Sequence, residues 1–384
     1  MSELNASNLR KEHGNEGPDL VGVTELTSPY YMVPPSGTTA ERPQNPQPGT
    51  LRFNTDSGSL EYFKGDGLGW ETINREYSNL GGGTAGGQGS NAGIGARGIW
   101  AGGFTPTVLN AIDYITISSL GYANEFGDLN EVKGGGASCS SRTKGIFAGG
   151  YNGPNKTANS SYITISSLGN GVDYNDLTNA VDSATGFGNQ TRGIVANGTT
   201  GSHINVIEYT TIAAGTDWVD FGDSTAAGLS GSGCASSTRG VYNLGAAPSR
   251  VNTIDYLTIS TLGNAADYGD LTTNRNGTGA LSNSTRGVFG AGETPTVVNT
   301  MDYVTLATTG NAIDFGDMLA GRFNIPNDGC SSPTRGVWAG GAAPTNSDVI
   351  QYITILTTGN AADFGDLVVA AQHRSAVSNA HGGL

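Results

Sequence analysis

The chain has 384 residues, 61 of them glycine, and only 14% are charged against about 25% in an average globular protein. A formal net charge of −14 excludes the basic footprint that wrapping nucleic acid requires and disfavours an anionic membrane surface. No apolar run is long enough to span a bilayer as a helix, and the polar stretch Met1–Pro18 lacks the apolar core of a secretory leader, so neither membrane insertion nor a signal peptide is expected.

Met1–Thr24 is polar and charged, and is expected to be flexible unless a partner orders it. The proline-braced stretch that follows holds Pro29, Tyr30, Tyr31, Met32, Pro34 and Pro35. Extended, aromatic and apolar, it is a candidate docking peptide that anchors the chain to a partner; the alternative is a linker folded back on its own domain. Ser36–Gly49 reads as linker by composition, so residues 1–49 form an extended N-terminal arm. Leu51–Asn54 and Ser59–Phe63 flank a Thr-Asp-Ser-Gly turn and read as a hairpin, with Gly69–Ile73 as a third strand. Glu76–Leu80 echoes Glu125–Leu129, so residues 50–80 read as the last three strands of a degenerate four-stranded unit.

From there the chain repeats itself six times. The Arg-Gly pairs, once Lys-Gly, begin at Arg97, Lys144, Arg192, Arg239, Arg286 and Arg335, at spacings of 47, 48, 47, 47 and 49 residues. Tyr114, Tyr162, Tyr209, Tyr256, Tyr303 and Tyr352 keep the same register, as do Asp128, Asp176, Asp223, Asp270, Asp317 and Asp366. Each unit reads as four short strands: the run after Arg-Gly, a β-branched and aromatic segment such as Ile254–Ile259, a segment such as Ala266–Leu271 after a Gly-Asn turn, and a small-residue stretch. No helical period persists. Four strands per 40–50 residues, repeated, is the footprint of a β-propeller; a parallel β-helix would have shorter coils.

Five residues before each Arg-Gly stand Ala92, Cys139, Phe187, Cys234, Leu281 and Cys330, and the register extends to Val377. All are apolar, marking one inward-facing slot per unit. The cysteines fall on alternate units, too far apart for the roughly 7 Å a disulfide demands, so buried thiols packing as small hydrophobes are expected.

Catalytic chemistry is sparse. His13, His203, His373 and His381 are dispersed, with no metal-binding spacing, and no nucleophile elbow or phosphate loop is present. His373 and His381 lie eight apart on one predicted strand and could share a face, as surface or channel-lining groups. Gly81–Gly86 matches Gly-x-Gly-x-x-Gly, but no helix follows to hold a pyrophosphate. The repeated acids, Asp267 and Asp270 among them, are expected as turn acceptors with the recurrent Arg as their partner, since catalysis needs two carboxyls in unequal surroundings. No catalytic residue, cofactor or metal is therefore assigned. What varies is the loop after each second strand, where Phe104, Tyr151, His203, Arg250 and Glu293 differ in chemistry at related positions and mark a candidate ligand face.

Val368–Gly383 reads as a lone first strand, and joining it to residues 50–80 would complete a seventh unit and bury both open faces. The expected fold is all-β: a seven-bladed propeller of four-stranded blades over residues 50–384, closed by 50–80 and 368–384. Six blades plus a small N-terminal β module is the alternative. The Gly-Gly after the second strand (Gly102-Gly103, Gly149-Gly150, Gly340-Gly341) and the aromatic strand after it resemble the kelch-like propellers over Gly81–Gly383. The regular fourth-strand Trp of that family is replaced by Phe126, Tyr174, Phe221, Tyr268, Phe315 and Phe364. Pro48–Gly58 with Leu60-Glu61-Tyr62 and Trp70, and the phrase Tyr352–Leu367, resemble virion proteins of tailed bacteriophages of the cyanophage type. That resemblance implies a non-enzymatic particle component, either a fibre or host-attachment subunit or a decoration protein. Its partners would be other virion proteins, through the N-terminal arm, within a homo-oligomer or larger assembly, and a host surface glycan or protein at the loop face. A carbohydrate-binding adhesin not tied to a virion is the alternative.

Overall fold

The computed structural model describes residues 34–56, 59–65, 69–73, 96–325 and 329–384. The chain divides into two compact units, Met1–Arg75 and Glu76–Leu384. Among the described residues the regular structure is β apart from one 3-10 turn at Thr39–Glu41, and it forms seven four-stranded sheets. No described helix is long and apolar enough to cross a membrane.

Six sheets lie in the larger unit and carry the six repeats. In the fourth, Gly233–Ala235, Arg239–Asn243, Thr253–Thr258 and Ala266–Asp270 pair antiparallel in that order. Burial falls from first strand to last: Gly233–Ala235 is wholly buried, whereas Ala266–Asp270 buries only Tyr268. First strands are therefore innermost, which is why they are built from small residues that close packing admits. On the outer strands the repeat Tyr meets the fourth-strand aromatic edge-on, with ring centroids 5.8–6.1 Å apart in all six sheets. The aromatics that stand in place of a fourth-strand Trp thus pack against the repeat Tyr of their own sheet.

Two devices link each sheet to the next, and both explain a repeated residue. A Cβ built on the glycine of Arg-Gly would stand 2.2 Å from the Phe187 ring at Gly240 and 2.6 Å from the Cys234 sulfur at Gly287. The apolar slot of one sheet fills the hole left by the glycine of the following sheet. The order runs Cys139 to Gly193, Phe187 to Gly240, Cys234 to Gly287, Leu281 to Gly336, Cys330 to Gly98 and Val377 to Gly145, returning to its start. The slot points between sheets, and its three cysteines are buried thiols on alternate sheets.

The second device is the repeat cation. It lies over the Tyr ring of its own sheet at 4.2–5.0 Å. It also donates across to a backbone carbonyl of the next sheet, as Arg239 does to Leu306 at 3.0 Å and Arg335 to Ile117 at 2.8 Å. Lys144 makes the same contact to Ile212 at 3.4 Å. The expected Arg–Asp pairing is not found among the described ion pairs; a tyrosine face and a carbonyl take the guanidinium instead. The repeat Asp contributes mainly backbone. Asp223 N–H donates to Asn264 Oδ1 and its carbonyl accepts from Ala265 N–H, so the Gly-Asn turn of one sheet covers the outer edge of the sheet before it.

The cycle of contacts corrects the expected closure. Ser375–Ser378 is a first strand, as read, but it pairs with Arg97–Ala101, setting Val377 opposite Ile99 as Cys139 lies opposite Ile146. The sheet so completed holds Ala111–Thr116 and Asn124–Asp128, and none of the described residues of 50–80. Ala92, Gly81–Gly86 and Glu76–Leu80 lie outside the described residues. Six successive four-stranded sheets whose last contacts the first are consistent with a propeller-like all-β fold.

In the N-terminal unit Leu51–Asn54, Ser59–Phe63 and Trp70–Ile73 form the expected three strands, but in a sheet of their own. Ser36–Gly37, read from composition as linker, is its fourth strand and runs parallel to Leu51–Asn54. The unit buries polar groups. Glu61, 1% exposed, accepts from Arg42 at 2.6 Å and from Asn54 at 3.1 Å and lies 3.4 Å from Arg52. Both guanidiniums lie over Trp70, at 5.7 and 5.9 Å.

Candidate functional site

The loop after each second strand leaves the sheet through backbone that only glycine enters without strain at most positions. A Cβ on Gly102, at φ +62°, would stand 2.1 Å from the carbonyl oxygen of Lys133. The next loop residue but one bridges to the segment that precedes a first strand: Phe104 to Gln372, Tyr151 to Gly134, Thr199 to Asp182, Ala246 to Leu229, Glu293 to Asn276 and Ala342 to Phe323. Those same residues also bridge to the loop's far side, at Val108, Lys156, His203, Arg250, Val297 and Asn346.

These bridges correct the reading that the five variable residues occupy related positions. Phe104, Tyr151 and Glu293 open their loops, whereas His203 and Arg250 close theirs. Arg250 and Glu293 meet across adjacent loops at 2.9 Å, and Arg250 also donates to Asn276 at 2.9 Å. Lys156 pairs with Asp182 at 2.8 Å. This charged sector is compensated pair by pair.

The other sector is aromatic. Six residues in left-handed backbone, Gly135, Ser183, Ser230, Gly277, Asn324 and His373, precede the first strands, with φ between +52° and +67°. Five of their junctions are N–H to carbonyl hydrogen bonds of 2.7–2.9 Å, including Gly135 to His373 and His373 to Asn324. His373 is the one large side chain among them. Its ring meets Phe104 edge-on at 5.6 Å, and Phe104 lies 6.1 Å from Tyr151. Burial pushes His373 down to about 4, so the imidazole is neutral in ordinary buffers. Asn346 donates to the Phe104 carbonyl at 2.8 Å, and Gln372 Oε1 accepts from Asn324 at 3.1 Å. Neither the His373 contact nor the sorting of loop positions was legible in the sequence; the one available signal was an imidazole where the other repeats place Gly, Ser or Asn.

His381 does not join His373. They lie on either side of Ser375–Ser378, and His381 Nε2 is 3.1 Å from the Ser140 carbonyl, with burial pushing it to about 4. Gly382 donates to Ser282 at 3.0 Å, while Arg97 N–H donates to Asn379 at 2.9 Å. The final residues thus lie across first strands of several sheets. Between those strands is a cavity of about 40 Å³, which Cys139, Phe187, Cys234, Leu281, Val377 and His381 help to line. That is room for a few water molecules.

Buried charge elsewhere ties the segment leading into a first strand to that strand's own sheet. Arg275 pairs with Asp302 at 2.9 Å, both wholly buried, and Arg374 pairs with Asp113. Lys133, pushed down to about 8 by burial, donates to Asn159 Oδ1 at 2.9 Å. Among the described residues no group of three His, Cys, Asp or Glu is placed to hold a metal ion. Of the proposed docking peptide, Pro29, Tyr30, Tyr31 and Met32 lie outside the described residues. Pro34 and Pro35 lead into the N-terminal sheet, where the Pro35 carbonyl accepts from Phe53 N–H at 2.7 Å. No protein-family model matches the chain, and no curated protein is similar to it.

Proposed function

We propose that this chain is a non-enzymatic structural protein of a tailed-bacteriophage particle, a six-bladed kelch-like propeller displaying a loop face and anchored through its N-terminal residues. The single observation that carries the reading is a division of labour along the chain. The segment that resembles phage fibre proteins, Pro48–Trp70, belongs to its own compact unit, while all six repeat sheets draw their strands from Arg97–Ser378. An anchor and a display body built separately suit a virion component better than a free-standing binding protein. The cyclic order of slot and cation contacts supports six blades, with the N-terminal sheet as an additional module. Docking to other virion proteins falls to residues 1–75, and the varied loops carry any host-directed specificity.

Deleting residues 1–75 tests this. The remaining chain should keep its β circular dichroism and cooperative melting while no longer entering particles assembled in the host. Normal incorporation of the truncated protein would refute the anchoring role. The second reading, a lectin-like adhesin outside any particle, draws on the aromatic sector of the loop face; it predicts that purified particles from the same source lack the chain.

A further inference from the structure

We infer that Phe104, Tyr151 and His373 form a binding site for an uncharged pyranose sugar at the aromatic sector of the loop face. The inference rests on the display reading in taking the loop face as the ligand-facing side, and it adds the ligand's chemistry and the residues that would hold it. The two tilted aromatic rings, 6.1 Å apart and both half-exposed, offer the faces on which the weakly positive C–H edge of a sugar ring packs. Beside them stand groups that hydroxyls need. The Tyr151 hydroxyl and both His373 ring nitrogens have no hydrogen-bond partner among the described residues. Gln372 spends its side-chain oxygen on Asn324 and Asn346 its amide nitrogen on Phe104, which leaves the Gln372 amide N–H and the Asn346 oxygen to a ligand.

Backbone bonds fix the segment that carries the imidazole. His373 N–H donates to the Asn324 carbonyl at 2.9 Å and the His373 carbonyl accepts from Gly135 N–H at 2.8 Å, which holds the ring beside Phe104. Charge selects the class of sugar. Glu131 accepts from Asn152, next to Tyr151, Asp182 acts on His373, and the chain carries −14 overall, so a sialic acid or a sulfated sugar would meet repulsion while a neutral hexose would not.

The test uses the full chain on immobilised neutral hexopyranosides and N-acetylhexosaminides beside sialylated and sulfated ones. Neutral sugars should be retained, with Phe104→Ala and Tyr151→Ala each lowering affinity at least tenfold and Arg250→Ala, in the charged sector, changing it less than twofold. Phe104→Tyr keeps the ring and should retain most binding, and Tyr151→Phe, which loses only the hydroxyl, should weaken it less than Tyr151→Ala, which separates loss of the site from loss of the fold. Absence of binding to any neutral sugar, preference for the anionic ones, or unaltered binding in the Phe104→Ala Tyr151→Ala double variant would each overturn the inference. A wild-type chain that enters particles yet retains no sugar sinks this site and leaves the display reading intact; sugar binding by a chain found in no particle does the reverse.

Discussion

The two units are built from sheets of the same size and are held together by opposite means. The N-terminal sheet turns Arg52, Asn54 and Glu61 inward and leaves Phe53 36% exposed, so one carboxylate organises its interior. Each repeat sheet instead closes on apolar residues, and its joints are a glycine hole filled from the preceding sheet and a cation resting on a tyrosine. One unit concentrates its stability in a single polar cluster; the other distributes it over six copies of one joint. A short sheet cannot bury enough apolar area to stand alone and is held by polar pairing or by partners, whereas a repeated sheet gains its apolar contacts from its neighbours.

The strongest way to break this contrast is to fill a glycine hole. Gly240→Val would drive its side chain into Phe187 and should destabilise the larger unit by about 3 kcal/mol, as overpacking of a close-fitted core does. Hydrogen exchange read over peptides of each unit should show faster opening in the repeats and none in the N-terminal sheet. Adding Phe187→Ala should recover part of the loss, giving a coupling of roughly 1 kcal/mol or more between the two sites. An intermediate effect is expected at Glu61→Gln, which leaves Arg52 buried without its counter-charge and should cost the N-terminal sheet about 2 kcal/mol. The same exchange measurement should find the repeats unchanged.

The smallest expected effects separate the units by acid. His373 and His381 are held neutral by burial, each down to about 4 from an ordinary 6.5, so the unfolded chain binds more protons than the folded one between those values. The repeat unit should therefore lose stability as pH falls from 6.5 towards 4. Glu208 and Asp255, raised by burial, oppose part of that loss. Glu61 is held below its ordinary 4.5 mainly by the hydrogen bond from Arg42, so its stabilising contribution is intact above 4.5 and is lost as pH falls through its lowered value. Denaturant midpoints taken from pH 7 to pH 3 should then show the repeats weakening first and the N-terminal sheet later. The reverse order would mean that the histidines titrate freely.

Much of the scaffold was legible because it is written in side-chain types that recur. The 47-residue register, the four strands, the aromatic slot and the apolar position that reaches Val377 follow from pattern. The partner of the recurrent Arg was not, since a backbone carbonyl such as that of Leu306 has no signature in the sequence. Nor was the strand Ser36–Gly37, whose composition is that of a turn and whose pairing with Phe53 and Asn54 is made by backbone alone. The candidate site falls on the same divide. Phe104 and Tyr151 could be picked out as variation on a constant frame, while His373 joined them only when the last inter-strand segment came to lie beside the first loop.

By itself, then, the sequence determined the repeating unit and the chemistry at each of its joints, because those depend on residue type at fixed spacing. The tertiary structure alone decided which segment completes the sheet at Arg97–Ala101 and which residues from distant repeats share a surface. Strand ends offer the same N–H and carbonyl groups whatever their side chains, so whether Ser375–Ser378 pairs with residues 50–80 or with Arg97–Ala101 rests on how well the slot residue fits its neighbour's glycine. Val377 fills that hole against Gly145, and the circuit of contacts closes through it.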